Sequence, residues 1–320
     1  MKTTIYEDPD ECKFIWKKLW PVKGFFDLWQ VRSCFHDSYS RPLSFHVVED
    51  NNKAVGFLAL CWNEEEQKYV QFPGETWRGK TWLEQNRIIA GTPEIFDRLI
   101  DSVPGPLHLR YLNENPLKGV SDLIRTDEMG YIFLPGQYGY SFENYQQSFT
   151  GKFRKKLRAD LRRFEEKNIR FRFDRFEDIE HMLQMNRDCF GENSFFSDLR
   201  FHHSFLKLAE FLEKFGMLRI TTVLIDGAVA AIDMGALWQK SYTLLAGGTS
   251  REFPGVAKLI NLHHMEWSCS QRIELVDFLC GDFNWKERFH LTPIPLYELH
   301  LENQKPSFAG ALPEKSAACA

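Results

Sequence analysis

Three stretches of this 320-residue chain carry residue types that could do chemistry. The first is Gly247-Gly248-Thr249-Ser250-Arg251-Glu252-Phe253-Pro254-Gly255-Val256-Ala257-Lys258, where glycines precede a helix opening at Pro254-Gly255. A helix N-terminus presents free backbone N–H groups and a partial positive charge, and glycine there lets an anion come close. A pyrophosphate would sit on the amides of residues 255–258; an ordinary capped helix would use the same residues. The second stretch is Asp277-Phe278-Leu279-Cys280-Gly281-Asp282-Phe283-Asn284-Trp285-Lys286. It reads as a strand ending in Gly-Asp, and strand C-terminal ends are where open α/β sheets build sites. Asp282 and Lys286 are four apart, so a helical turn would put them on one face, as a site or as a surface ion pair.

The third stretch is basic. Residues 152–172 hold ten Lys or Arg against three acids, a local net charge of +7 in a chain of net −4. Phe153, Leu157, Leu161 and Phe164 recur at helical spacing, so one face of this helix packs and the other is strongly positive. Arg154, Arg158 and Arg162 are its candidate phosphate- or acceptor-binding groups. A phosphorylated partner suits such a face, and so does plain solvation.

Other chemistry is disfavoured. The seven cysteines are scattered, odd in number and without a C-x-x-C pair, which suggests reduced thiols in a cytoplasmic protein. His202-His203 and His263-His264 are adjacent pairs whose side chains diverge on a helix, so no metal is expected. The N-terminus lacks an apolar signal core, and no apolar run approaches the roughly 20 residues that span a membrane.

The elements that must position these residues can be read from periodicity. Helices are expected over 9–20, 24–36 and 94–101, with a strand–turn–strand over 43–61 and strands at 107–112 and 131–134. The second half is clearer. A helix capped by Ser148 or Thr150 runs to 167, a strand follows at 169–173, then helices at 177–190 and 201–215. Asp226-Gly227 makes a hairpin of 218–225 and 228–237. A third strand at 242–246 ends at Gly247-Gly248. A helix to 270 and strands at 274–279 and 294–301 complete the chain. The first half echoes this order without repeating its sequence. The division expected is 1–145, 146–303 and a flexible tail 304–320, giving an α/β (α+β) fold with mixed, mostly antiparallel central sheets flanked by helices.

The pieces Lys152-Phe153-Arg154-Lys155-Lys156-Leu157-Arg158, Asp226-Gly227, Phe253-Pro254-Gly255, Val276-Asp277-Phe278-Leu279-Cys280-Gly281-Asp282 and Trp285-Lys286 resemble the GNAT acyltransferase superfamily. The resemblance is to its CelD-like and Fem-type branch, and covers about residues 145–299. It implies tandem GNAT-like units, the first degenerate, and a loop of form [QR]-x-x-G-x-[GA], whose last three positions match Gly255-Val256-Ala257. Arg251 stands one residue too far back. It further implies an acetyl-CoA or other acyl-CoA co-substrate, held by Leu245, Ala246, Gly247, Arg251, Gly255, Val256, Ala257 and Lys258. The acyl group would move to an amine or hydroxyl acceptor, such as a small molecule or a cell-envelope or polysaccharide precursor. Asp233 and Asp282 are candidate bases, Tyr242 a candidate acid, and Lys286 a group for an anionic acceptor or developing charge. Family members often carry an acid in the middle of the first unit, where this chain offers Glu84. The rival readings are a Fem-type enzyme using aminoacyl-tRNA and a non-catalytic binding protein of the same fold.

Overall fold

The computed structural model describes residues 1–118, 122–281 and 284–302. Strand β1 (Lys2–Tyr6) precedes α1 (Pro9–Leu19), which starts where the Asp8 carboxylate accepts the N–H groups of Asp10 and Glu11. Next come α2 (Trp29–Tyr39), β2 (Leu43–Asp50), β3 (Lys53–Asn63) and β4 (Lys68–Gln71). A small hairpin, β5 (Thr76–Trp77) and β6 (Lys80–Thr81), leads through β7 (Ile89–Ala90) to α3 (Pro93–Asp101). The first half ends with β8 (Leu107–Leu112) and β9 (Ile124–Phe133), the latter longer than the 131–134 strand expected.

The second half opens with α4 (Phe142–Ser148) and α5 (Gly151–Glu165), so the expected single helix from Ser148 or Thr150 is α5 alone, capped by Thr150. Then follow β10 (Ile169–Phe173), α6 (Asp178–Phe190), α7 (Leu199–Lys214), β11 (Leu218–Ile225), β12 (Ala228–Trp238) and β13 (Ser241–Thr249). The chain continues through α8 (Val256–Ser270), β14 (Leu275–Cys280), α9 (Trp285–Arg288) and β15 (Thr292–Leu301). The expected tail lies outside the described residues.

One 13-stranded, mostly antiparallel sheet runs through both halves in the order β1-β2-β3-β4-β8-β15-β9-β14-β13-β12-β11-β10, with β7 on β3. The boundary expected near 145 falls between β9 and α5, yet strands cross it in space. β15 lies between β8 and β9, antiparallel to both, and β9 also pairs with β14. The apolar core crosses too. Phe26, Val31 and Phe35 of the first half pack with Met182, Phe201, Phe205 and Leu208 of the second.

Gly247-Gly248 does not end its strand as expected; β13 continues to Thr249, paired with β12. The reason is close packing. A Cβ at Gly248 would stand 2.7 Å from the Met182 carbonyl of α6, and one at Gly247 would strike the Asp233 carboxylate. The glycines are there because a helix and an acid close on that strand.

Candidate functional site

The site begins where two parallel strands part. β13 and β14 pair only over Ser241–Thr243 and Leu275–Asp277. Past that point β13 follows β12 while β14 meets β9 at Cys280–Gly130. Between them opens a cavity of about 680 Å³, walled by both halves of the chain. The second half contributes Asp233, Leu244–Thr249, Asn261 and Phe278–Gly281; the first contributes Trp82, Glu84, Arg110, Tyr111 and Glu128.

The end of β14 loses its ladder and is held by charge. The Lys286 ammonium, almost wholly buried, donates to the carbonyls of Phe278 (3.0 Å), Leu279 (2.8 Å) and Cys280 (2.7 Å). Two carboxylates take the amides: Asp277 accepts from Leu279 N–H (2.9 Å) and Glu84 from Cys280 N–H (2.7 Å). These bonds hold Leu279 in the left-handed region, at φ 57°. Gln85 adds a 2.9 Å bond to the other Asp277 oxygen, so the 84–85 segment of the first half is clamped onto β14.

Burial sets the protonation here. It pushes the Glu84 carboxyl up to about 8, helped by the nearby Asp277 charge, and raises Asp277 as well. It lowers Lys286 and raises the Cys280 thiol. Glu84 thus becomes a carboxyl that releases and takes up its proton near neutrality. Beside it, Arg110 holds Asp127 through two bonds of 2.9 and 2.6 Å and reaches Glu128 at 3.2 Å. Behind the segment, buried Arg32 donates to the Phe26 and Phe72 carbonyls and to Asn86, fixing the loop that carries Glu84.

On the opposite wall, Asp233 of β12 accepts from or is paired with His264 Nε2 at 3.0 Å; His264 is fully buried on α8. Asn186 of α6 donates to the Gly247 carbonyl at 2.9 Å.

The expected residues therefore divide. Asp233, Lys286, Leu245, Ala246 and Gly247 meet at the cavity. Lys286 is spent on three backbone carbonyls, so it positions β14 where a direct contact to an anionic acceptor was expected. Asp282 lies outside the described residues, so its pairing with Lys286 is not part of this picture. Tyr242 is corrected: its side chain is fully buried in the core against Gly235 and Trp267, outside the cavity lining, and burial raises its hydroxyl further from use as an acid. Arg251 is corrected as well, since its guanidinium donates to the Asp188 and Cys189 carbonyls at the end of α6.

Gly255, Val256, Ala257 and Lys258 form the first turn of α8, beside α5 and away from this cavity's lining. Gly255 has φ 93°, where a side chain would be strained, and the tip of the Arg163 guanidinium lies 2.9 Å from where its Cβ would be. Lys258 pairs with Asp160 of α5. Arg154 bonds the carbonyls of Gln147 (2.8 Å) and Phe149 (2.7 Å) and lines, with Arg158, a separate groove of about 360 Å³. Arg162 is exposed on the same helix. Among the described residues no group of His, Cys, Asp or Glu is placed to hold a metal, and no helix is long and apolar enough to cross a membrane.

Two groups that shape the cavity walls escaped assignment from sequence. Glu84 could be named but not placed, because only the clamp between Gln85 and Asp277 brings it to β14. His264 was read as half of a divergent pair, which it is; its partner is Asp233 on a strand 31 residues earlier.

Residues 151–287 match the acetyltransferase (GNAT) domain family. No curated protein matches the chain. Among solved structures, FemX is 11% identical, with a TM-score of 0.54 over 94% of this chain and 98% of that one. L-PGS from Bacillus licheniformis is 11% identical, with a TM-score of 0.52 over 93% of each chain. A tandem GNAT protein from the clavulanic acid biosynthesis pathway is 11% identical, with a TM-score of 0.50 over 93% and 98%. At such identities the likeness is one of fold. The family match thus falls on residues 151–287 alone, and the whole chain shares the mixed α/β fold of FemX and the tandem GNAT protein.

Proposed function

We propose that the chain transfers an acyl group from acyl-CoA, acetyl-CoA being the simplest, to an amine or hydroxyl acceptor held between the two halves. One observation carries this reading: the gap between β13 and β14 is faced by a buried carboxyl, Glu84, whose hold on its proton burial strengthens. The acceptor's nitrogen or oxygen bonds to the thioester carbon, and its proton passes to Glu84. Backbone N–H groups of residues 245–247 steady the developing oxyanion. The carbon–sulfur bond then breaks, and the departing thiolate takes back the proton. Asp233, joined to His264, lies against Gly247 and fixes the strand that faces the donor. The apolar share of the lining, with Trp82, Phe195 and Trp285, suits an acceptor with a hydrophobic body.

Calorimetric titration with acetyl-CoA tests the donor. Saturable binding is expected, lost in Gly247→Val while the thermal transition survives. Absence of binding by the folded wild type would overturn the acyl-CoA reading. A second donor, aminoacyl-tRNA, is favoured by the exposed positive face of α5, and a filter-binding titration with charged tRNA at two salt concentrations decides between them.

A further inference from the structure

The first half holds a second nucleophile–base arrangement, far along the sheet from the cavity. Ser44 and His46 are two apart on β2, so both side chains point to the face covered by α3. The Ser44 hydroxyl lies 2.9 Å from His46 Nε2, and His46 Nδ1 lies 2.7 Å from the Ser102 hydroxyl at the C-terminus of α3. Ser102 donates its one hydrogen to the Leu99 carbonyl at 2.6 Å. Its oxygen must therefore accept from His46, which puts the imidazole hydrogen on Nδ1. Nε2 then carries the lone pair, and Ser44 donates to it. Burial lowers His46 to about 4, so the ring stays neutral and able to accept. A serine donating to a neutral histidine oriented by a third group is the arrangement that activates a hydroxyl.

The serine also has somewhere to put a substrate. β1 stops pairing with β2 at Tyr6–Phe45, one residue short of Ser44. Ser44 lines a groove of about 600 Å³ with Pro42, Trp62, Tyr69, Pro104 and Pro106. Trp62 and Tyr69 face each other across β3 and β4 with ring centroids 4.9 Å apart. Ser44 pairs with Leu60, two residues from Trp62, so the hydroxyl and the indole share one face of the sheet.

We infer that Ser44 is a nucleophile for small activated esters, with the leaving group held against the tilted rings of Trp62 and Tyr69, Pro42 and Pro106 closing the sides, and His46 as its base. The Ser44 oxygen bonds to the ester carbonyl carbon as its proton moves to His46 Nε2. The carbon–oxygen bond to the leaving group breaks, and His46 protonates that oxygen. The product is an acyl ester on Ser44, which water cleaves by the same proton route. This site shares no residue with the one proposed above and does not depend on it.

The test uses the full chain and p-nitrophenyl acetate. The expected result is a burst of one equivalent of nitrophenolate, with an acetyl group on the peptide carrying Ser44. Ser44→Ala should abolish the burst, and His46→Gln should slow it by about a hundredfold. Ser102→Ala, which releases the tautomer without emptying the core, should slow it by roughly tenfold and serves if His46→Gln does not fold. A folded wild type with no acetyl on Ser44 would overturn the proposal. So would acetylation of Ser44 at an unchanged rate in Ser102→Ala and His46→Gln, which would leave His46 as a satisfied core side chain.

Discussion

After Thr243 and Asp277 the two strands that flank the cavity are finished in opposite ways. β13 keeps its neighbour β12, sheds its side chains at Gly247 and Gly248, and presents backbone. β14 parts from β13 and bulges away from β9 before Cys280, and side chains take over its backbone: Lys286 on three carbonyls, Glu84 and Asp277 on two amides. One wall is fixed chiefly by packing against α6 and the Asp233 carboxylate. The other is fixed largely by buried charge, and the carboxyl that faces the cavity, Glu84, is also one of its structural bonds. The arrangement makes proton exchange at Glu84 and the shape of β14 a single property.

Three experiments would break or sharpen that contrast. The largest effect is expected from Lys286→Met. Removing one member of a buried charged network strands the others, so urea unfolding should show a loss of about 3–5 kcal/mol. A loss under about 1 kcal/mol would mean that the wall stands without its charge. Next, Glu84→Gln keeps size and one acceptor but not the base. Transfer should fall by about a hundredfold or more while acetyl-CoA binding is retained. A parallel loss of binding would make Glu84 part of the donor site and erase the division between walls.

The smallest effect, per pH unit, is a slope. Glu84 holds its proton in the fold up to about pH 8 but releases it near 4.5 when unfolded. A group raised in this way stabilises the fold below the unfolded value, and that contribution is lost as pH rises through the folded one. Stability should therefore decline between about pH 5 and 8 by roughly 1.4 kcal/mol per pH unit, and Glu84→Gln should flatten the decline. A wild-type curve as flat as the variant's would show that the carboxyl is ionised throughout.

Much of the scaffold was legible. The Asp226-Gly227 turn, the 3.6-residue stripe of α5 and the alternation of β8 and β10 each follow from local rules. The parting of β13 and β14 was not, since it depends on which strand each meets next. Gly247-Gly248 misled for a related reason: glycine punctuates turns, but here its lack of a Cβ answers to α6 and Asp233. Lys286 was found by its motif, yet its direction toward the strand before it needed coordinates. Tyr242 was offered for its chemistry and Arg251 for a loop motif it misses by one residue, and tertiary packing turned one into the core and the other to the end of α6.

The position of β15 has a consequence for the order of folding. Among the described strands this one is made last, yet it fills the slot between β8 and β9 in the first half. On the ribosome the early half therefore waits with one open edge on Leu107–Leu112 and both edges of Ile124–Phe133 open, since their missing partners come from the second half. Closing them joins residues almost two hundred positions apart, a long-range contact of the kind that slows folding and leaves the intermediate exposed to wrong partners. The last strand acts as a keystone: the cavity, whose floor and roof come from different halves, takes its working shape only when that strand is home.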